Sequence, residues 1–228
     1  KEHPHYRAPL EGKHVGRGFA VGYWGNGSGV STVRLSFNPD GSVNLVEGST
    51  DIGGTRASMA MIVAAELGIE YEAVHPTIGD TDTLGHNDGT GGSRTTYSTG
   101  TAVYRACQNA IAELKRRAAL LMEVDPDQVS FSDGVFTAPG GRSIGIRDVI
   151  KQLRKTGGPF EATGVSGGLA RAPSFGASLV DVAVDPETGK VTILRWTQFQ
   201  DVGKAIHRAF VEGQMQGGAA QGIGWALW

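Results

Sequence analysis

Cysteine is almost missing from this 228-residue chain. Cys107 stands alone, which excludes an internal disulfide framework and any zinc or iron–sulfur site built from several thiolates. Net charge is nearly absent too, because 21 Lys and Arg face 23 Asp and Glu for a formal charge of −2. That leaves no electrostatic case for nucleic acid or an anionic membrane surface as a main partner. No stretch approaches the roughly 18 uninterrupted apolar residues of a membrane span, and Lys1-Glu2-His3-Pro4 opens without a methionine or a targeting segment. A cytoplasmic location is the expectation. Gly222-Ile223-Gly224-Trp225-Ala226-Leu227-Trp228 ends inside an apolar pattern with no helix stop signal, so an excised piece of a longer polypeptide is expected.

What is present is the balance of an ordinary globular protein, 39% hydrophobic and 19% charged, with length for one large domain or two small ones. Glycine is the outlier. Its 35 copies are about twice the usual share of roughly 7%, without the Gly-X-Y period of collagen. Residues 1–14, with His3, His5 and His14 among prolines and charges, read as an extended linker, and residues 15–228 as the folded part.

The pattern predicts an α+β fold of antiparallel hairpins packed with helices. Val33, Leu35 and Phe37 alternate with polar residues up to the turn Asn38-Pro39-Asp40-Gly41, and Val43 to Val46 return. A second hairpin is centred on Ser132-Asp133-Gly134. A third joins Leu179–Val184 to Val191–Trp196 through Asp185-Pro186-Glu187-Thr188-Gly189-Lys190. One helix carries Met59, Ile62, Val63, Glu66 and Leu67 and stops at Gly68. The longest is predicted from about Thr99 to Met122, burying Val103, Cys107, Ala110, Ile111, Leu114, Ala118 and Leu121, so that Cys107 is a core thiol. A third covers Ile144 to Arg154. Phe210 to Trp228 carries Gly213, Gly217, Gly218, Gly222 and Gly224, costly in a helix unless a backbone or ligand comes very close. Two α+β subdomains, about 15–125 and 126–228, are expected.

Two glycine-rich turns precede helices, at Asp51-Ile52-Gly53-Gly54-Thr55-Arg56 and at Gly89-Thr90-Gly91-Gly92-Ser93-Arg94-Thr95-Thr96. Free backbone N–H groups at the positive end of a helix dipole suit an anion such as phosphate, and a tight turn with a good cap accounts for the same residues. Neither turn has the lysine of a Walker loop. Gly25-Asn26-Gly27-Ser28-Gly29 leads into a strand and fails the dinucleotide fingerprint. Asp80-Thr81-Asp82-Thr83-Leu84-Gly85 begins like a calcium loop, but Leu84 and Gly91 stand where oxygen ligands belong. His75, His86 and His207 lack a second ligand at helical spacing, so no metal ligand is assigned.

In order along the chain stand Gly16-Arg17-Gly18, Asp51-Ile52-Gly53-Gly54-Thr55-Arg56, Ala64-Ala65-Glu66-Leu67-Gly68, Gly79-Asp80-Thr81-Asp82, Gly91-Gly92-Ser93-Arg94, Val184 to Lys190, Asp201-Val202-Gly203, and Gly213-Gln214 through Gln221-Gly222. Together they resemble the molybdenum hydroxylases, the family of xanthine dehydrogenase, aldehyde oxidase and carbon monoxide dehydrogenase large subunits, and cover most of its second molybdopterin-binding domain. The resemblance implies that Gly53, Gly54 and Thr55 and Gly91, Gly92, Ser93, Arg94 and Thr95 lie on a molybdopterin cofactor, with Gln214 a direct contact. It implies molybdenum, and in bacterial forms a cytosine dinucleotide whose pyrophosphate needs the donors that backbone amides supply. Arg94 would add a charge-assisted bond.

The same resemblance implies an oxidoreductase that hydroxylates an aldehyde, N-heterocycle or similar carbon centre with water-derived oxygen. Its expected partners are a small-molecule substrate, the first molybdopterin domain, iron–sulfur and FAD subunits or domains, and an oligomeric assembly. Many relatives carry glutamine where this chain has Gly54. The first molybdopterin domain, the substrate-side loop and the Gly-x-Gly-Glu glutamate that serves as base are not in these residues; the glutamate is expected beyond Trp228, so the fragment alone is expected to be inactive. Two rival readings are a non-catalytic anion- or nucleotide-binding module and a structural subunit whose glycines serve packing.

Overall fold

The computed structural model describes residues 10–228; residues 1–9, with His3 and His5 of the expected linker, lie outside the described residues. The chain forms two compact units, one of Asn26–Ala172 and one that joins the chain up to Gly25 with Pro173–Trp228.

In the unit Asn26–Ala172, strict alternation buries Ser31, Val33, Leu35 and Phe37 of strand β2 (Ser31–Phe37). Its partner β3 (Val43–Glu47) returns antiparallel with Phe37 opposite Val43. The Asp40 carboxylate closes the turn by accepting the Ser42 N–H at 2.9 Å. After β3 comes helix α1 (Thr55–Leu67), and after α1 strand β4 (Val74–Ile78), which pairs parallel with β3. The helical crossover brings the chain back in the same direction, and this parallel pair stands beside the expected antiparallel hairpins. Strand β8 (Glu161–Ser166) pairs antiparallel with β2, giving the order β4-β3-β2-β8.

Helix α2 (Thr95–Met122) packs with α1 against this sheet. Val103, Cys107, Ala110, Leu114 and Ala118 are fully buried, and the core joins them to Leu35, Leu45, Met59 and Val63. Burial pushes the Cys107 thiol far up, which leaves it an inert core group. The helix starts one turn before the expected Thr99. A small third sheet holds β5 (Ser130–Ser132), β6 (Val135–Thr137) and β7 (Ser143–Gly145), with Asp133 and Gly134 at φ 47° and 77° in the two-residue loop between β5 and β6. The helix expected over Ile144–Arg154 is shorter, because Ile144 pairs with Phe136 in this sheet. Helix α3 (Ile146–Lys151) follows it and gives way to a 3-10 turn at Leu153–Lys155.

In the other unit, β1 (His14–Gly25), β9 (Pro173–Val184) and β10 (Val191–Gln200) form an antiparallel sheet in the order β1-β9-β10. Arg17 stands opposite Asp181 in register and donates to both its oxygens, at 2.5 and 3.1 Å. The Asp185 carboxylate accepts the Glu187 and Thr188 N–H groups at 3.0 Å in the β9–β10 turn, which holds it below the usual carboxylate range. Helix α4 (Arg208–Leu227) follows a cap in which His207 Nδ1 accepts the Phe210 N–H at 3.3 Å. None of its residues is buried, and a Cβ on any of its five glycines would meet nothing within 4 Å. His14 begins β1 rather than ending a linker. Because β1 pairs with β9, the units part at Gly25 and Pro173, and the boundary expected near residue 125 falls within Asn26–Ala172.

Candidate functional site

Three loops leave the same end of the larger sheet. Parallel β3 and β4 send 48–54 and 79–94 into α1 and α2 from their carboxyl ends, and antiparallel β2 is entered there from residues 26–30. The structure ties the loops together. Thr50 N–H donates to Thr90 Oγ1 at 3.1 Å, Gly27 N–H to the Gly92 carbonyl at 2.7 Å, and Val30 N–H to Asp88 Oδ2 at 2.7 Å. The two glycine turns singled out in the sequence are thus neighbours. Residues 26–30, which overlap the Gly25–Gly29 stretch that fails the dinucleotide fingerprint, border the second turn; no local motif announces this, since the contact spans some sixty residues.

At the first turn, Gly53 and Gly54 are both left-handed, with φ 64° and 76°. Gly54 gives α1 no side-chain cap, but Asp51 Oδ1 accepts the Arg56 N–H at 3.1 Å, and the Asp51 carboxylate pairs with the Arg56 guanidinium at 3.3 Å. A carboxylate therefore already stands at this helix start. Thr55 is half-buried and donates its hydroxyl to the Thr50 carbonyl at 3.3 Å.

The second turn is more open. Gly91, Gly92 and Ser93 are exposed, and Gly92 and Ser93 are left-handed in succession at φ 60° and 59°, a costly geometry for serine. The start of α2 has neither a side-chain cap nor an acidic residue in its first turn. Thr95 Oγ1 and Ser98 Oγ are buried there without a hydrogen-bond partner.

Arg94 turns inward. It is 3% exposed and donates to the Val30 carbonyl at 2.6 Å, the Asp88 carbonyl at 2.9 Å and Ser31 Oγ at 2.7 Å. A bond from His86 and the Val30 N–H hold the neighbouring Asp88 carboxyl below its usual range. Arg94 thus places a positive charge behind the turn instead of reaching out from it. Gln214 is exposed on α4, in the other unit. Among the described residues, no group of three or more His, Cys, Asp and Glu could hold a metal ion, and no helix is long and apolar enough to cross a membrane.

The chain is 30% identical over 232 residues to the 6-hydroxypseudooxynicotine dehydrogenase complex subunit gamma of Paenarthrobacter nicotinovorans, covering 97% of this chain and 29% of that protein. It is 28% identical over 212 residues to a putative xanthine dehydrogenase molybdenum-binding subunit of Escherichia coli, covering 90% and 28%. It therefore spans less than a third of the curated relatives it matches. In fold it is similar to carbon monoxide dehydrogenase from Oligotropha carboxidovorans, with a TM-score of 0.83 at 23% identity over 90% of this chain and 28% of that one. A family model matches residues 1–228, and the chain belongs to the molybdopterin cofactor-binding domain family.

Proposed function

We propose that this chain is the part of a larger molybdenum hydroxylase that grips the anionic end of the cofactor, a molybdopterin cytosine dinucleotide, between its two glycine turns. The observation that carries the reading is the start of α2. Its amides lack a side-chain cap, and the Thr95 and Ser98 hydroxyls beneath them have no partner. Orphaned buried donors above a buried guanidinium fit a phosphate or pyrophosphate group.

In this reading the backbone of Gly91, Gly92 and Ser93 and the hydroxyl of Thr95 donate to the anion. Gly53, Gly54 and Thr55 approach from the neighbouring turn, where the side chain of Asp51 leaves less room for charge. Arg94 contributes its field and the shape of the loop, not a direct bond. A Cβ at Gly91 would meet nothing within 4 Å and at Gly92 only Gly27 backbone at 3.5 Å, so the face that a ligand would need is clear. When bound, the molybdenum cofactor supplies a redox centre for hydroxylating a small carbon centre with water-derived oxygen. The base, the substrate loop, the first molybdopterin domain and the iron–sulfur and FAD partners belong to the rest of a cytoplasmic, oligomeric complex.

The test is Gly92→Ala in the full-length protein, with molybdenum and released cytidine nucleotide measured per protein beside circular dichroism. The variant is expected to keep its fold and lose both. A folded variant with full occupancy of metal and nucleotide would move this turn off the cofactor and leave it a packing element.

A further inference from the structure

A carboxyl group sits where the alternation of β3 calls for core. Glu47 is fully buried opposite Val33; its Oε2 accepts the Ser49 N–H at 2.6 Å, and its Oε1 is buried without a partner. From Ser49 the polar contacts run on beneath the site. Ser49 Oγ lies 2.6 Å from Thr99 Oγ1, Thr99 Oγ1 lies 2.9 Å from Ser31 Oγ, and Ser31 Oγ accepts from Arg94 Nη2 at 2.7 Å. Ser31, Ser49 and Thr99 are as fully buried as Glu47. Its two ends are fixed: Arg94 donates to Ser31 Oγ at one, and the Ser49 N–H donates to the Glu47 carboxyl at the other. The line joins the base of one glycine turn to the base of the other.

We propose that Glu47 is a positioning residue, the last acceptor of a buried hydrogen-bonded seam that locks loops 48–54 and 89–94 in one mutual arrangement, and that loss of its proton unlocks them. Burial raises the affinity of Glu47 for its proton above the ordinary value; the Ser49 bonds and Arg56 oppose this and Asp51 adds to it. Arg56 lies on α1, Asp51 in the loop before it and Arg94 at the α2 end of the seam, while β2 and β4 set Val33 and Ile78 beside Glu47 in register. The folded state holds this proton at a pH where the unfolded chain has lost it. The advantage is complete below the ordinary value of 4.5 and is lost as pH rises through the raised one. In acid the buried carboxyl is neutral and the loops stay closed on the seam; toward alkaline pH a buried carboxylate charge, with Oε1 unpartnered, favours their opening although the Ser49 bonds oppose it. This coupling belongs to the chain's own side chains and holds whatever anion the turns take.

Hydrogen exchange across 48–56 and 89–95, corrected for intrinsic rates and followed from about pH 5 to 8, tests it. In the wild type, protection of both segments should fall together, by up to about tenfold per pH unit where Glu47 titrates. Glu47→Gln, which still accepts the Ser49 N–H but carries no titrating charge, should keep the protection and lose the trend. Thr99→Val should confine the trend to 48–56, and Thr99→Ser should restore it at 89–95. A wild-type trend limited to 48–56 overturns the seam without any variant having to fold. A trend in Glu47→Gln equal to that of the wild type overturns the assignment to Glu47.

Discussion

Arg94 shows what residue type and neighbours leave out. Beside Gly91, Gly92 and Ser93 an arginine reads as a phosphate donor, yet its three bonds go to Val30, Ser31 and Asp88. What admits it is Gly29, where a Cβ would stand 2.8 Å from Arg94 Nε and 2.7 Å from Asp88 Oδ2. Arg94→Ala would strip two carbonyls and a hydroxyl of a buried charged donor, and is expected to destabilise the fold by about 3 to 5 kcal/mol in urea unfolding. A loss below about 1 kcal/mol, the range of ordinary surface changes, would mean that the guanidinium is not the brace of the loop. The glycines at 53, 54, 91 and 92 were legible as a turn chemistry. The direction of Arg94, the orphaned hydroxyls of Thr95 and Ser98 and the buried Glu47 were not, because each depends on partners far away in sequence.

Among the elements, legibility followed the size of the buried side chains. Helix α2 could be read from Val103, Cys107, Ala110 and Leu114, but not its first turn, where Thr95, Thr96 and Ser98 favour caps over helix interiors. Strand β4 was hidden by Pro76, which a strand tolerates here because β4 lies at the sheet edge. Strand β8 turns only Ala162, Gly164 and Ser166 inward, so its alternation carries no large apolar signal. The reason is how closely α2 packs on it: a Cβ at Gly164 would run into the α2 backbone at Ala102 and Ala106. Gly164→Ala must push strand and helix apart, and should lower the urea midpoint by an amount worth about 1 to 3 kcal/mol. An unchanged midpoint would show that the spacing of β8 and α2 yields freely.

On the scale of the whole chain, the pairing of β1 with β9 joins segments separated by the entire Asn26–Ala172 unit, a connection that no local pattern reveals. Phe19, Val21 and Tyr23 of β1 share a face with Phe175 and Phe199, which lie across the strands in register. All five are more than half exposed, as are Trp225 and Trp228 near the end of α4. An apolar face of this kind is unusual on a soluble monomer and is expected to be covered by other protein. Since the chain spans less than a third of its curated relatives, that protein is expected to be the remainder of the same subunit. Taken alone, the chain should therefore self-associate, with its mean mass in sedimentation rising with concentration, and it should turn over neither aldehydes nor purines. Val21→Lys, a change at a 76% exposed position in the middle of the face, should shift the association to higher concentration while leaving circular dichroism unchanged, because a charge set there costs little in water and much in an apolar contact. A wild-type chain that stays monomeric at all concentrations would show that this face needs no cover.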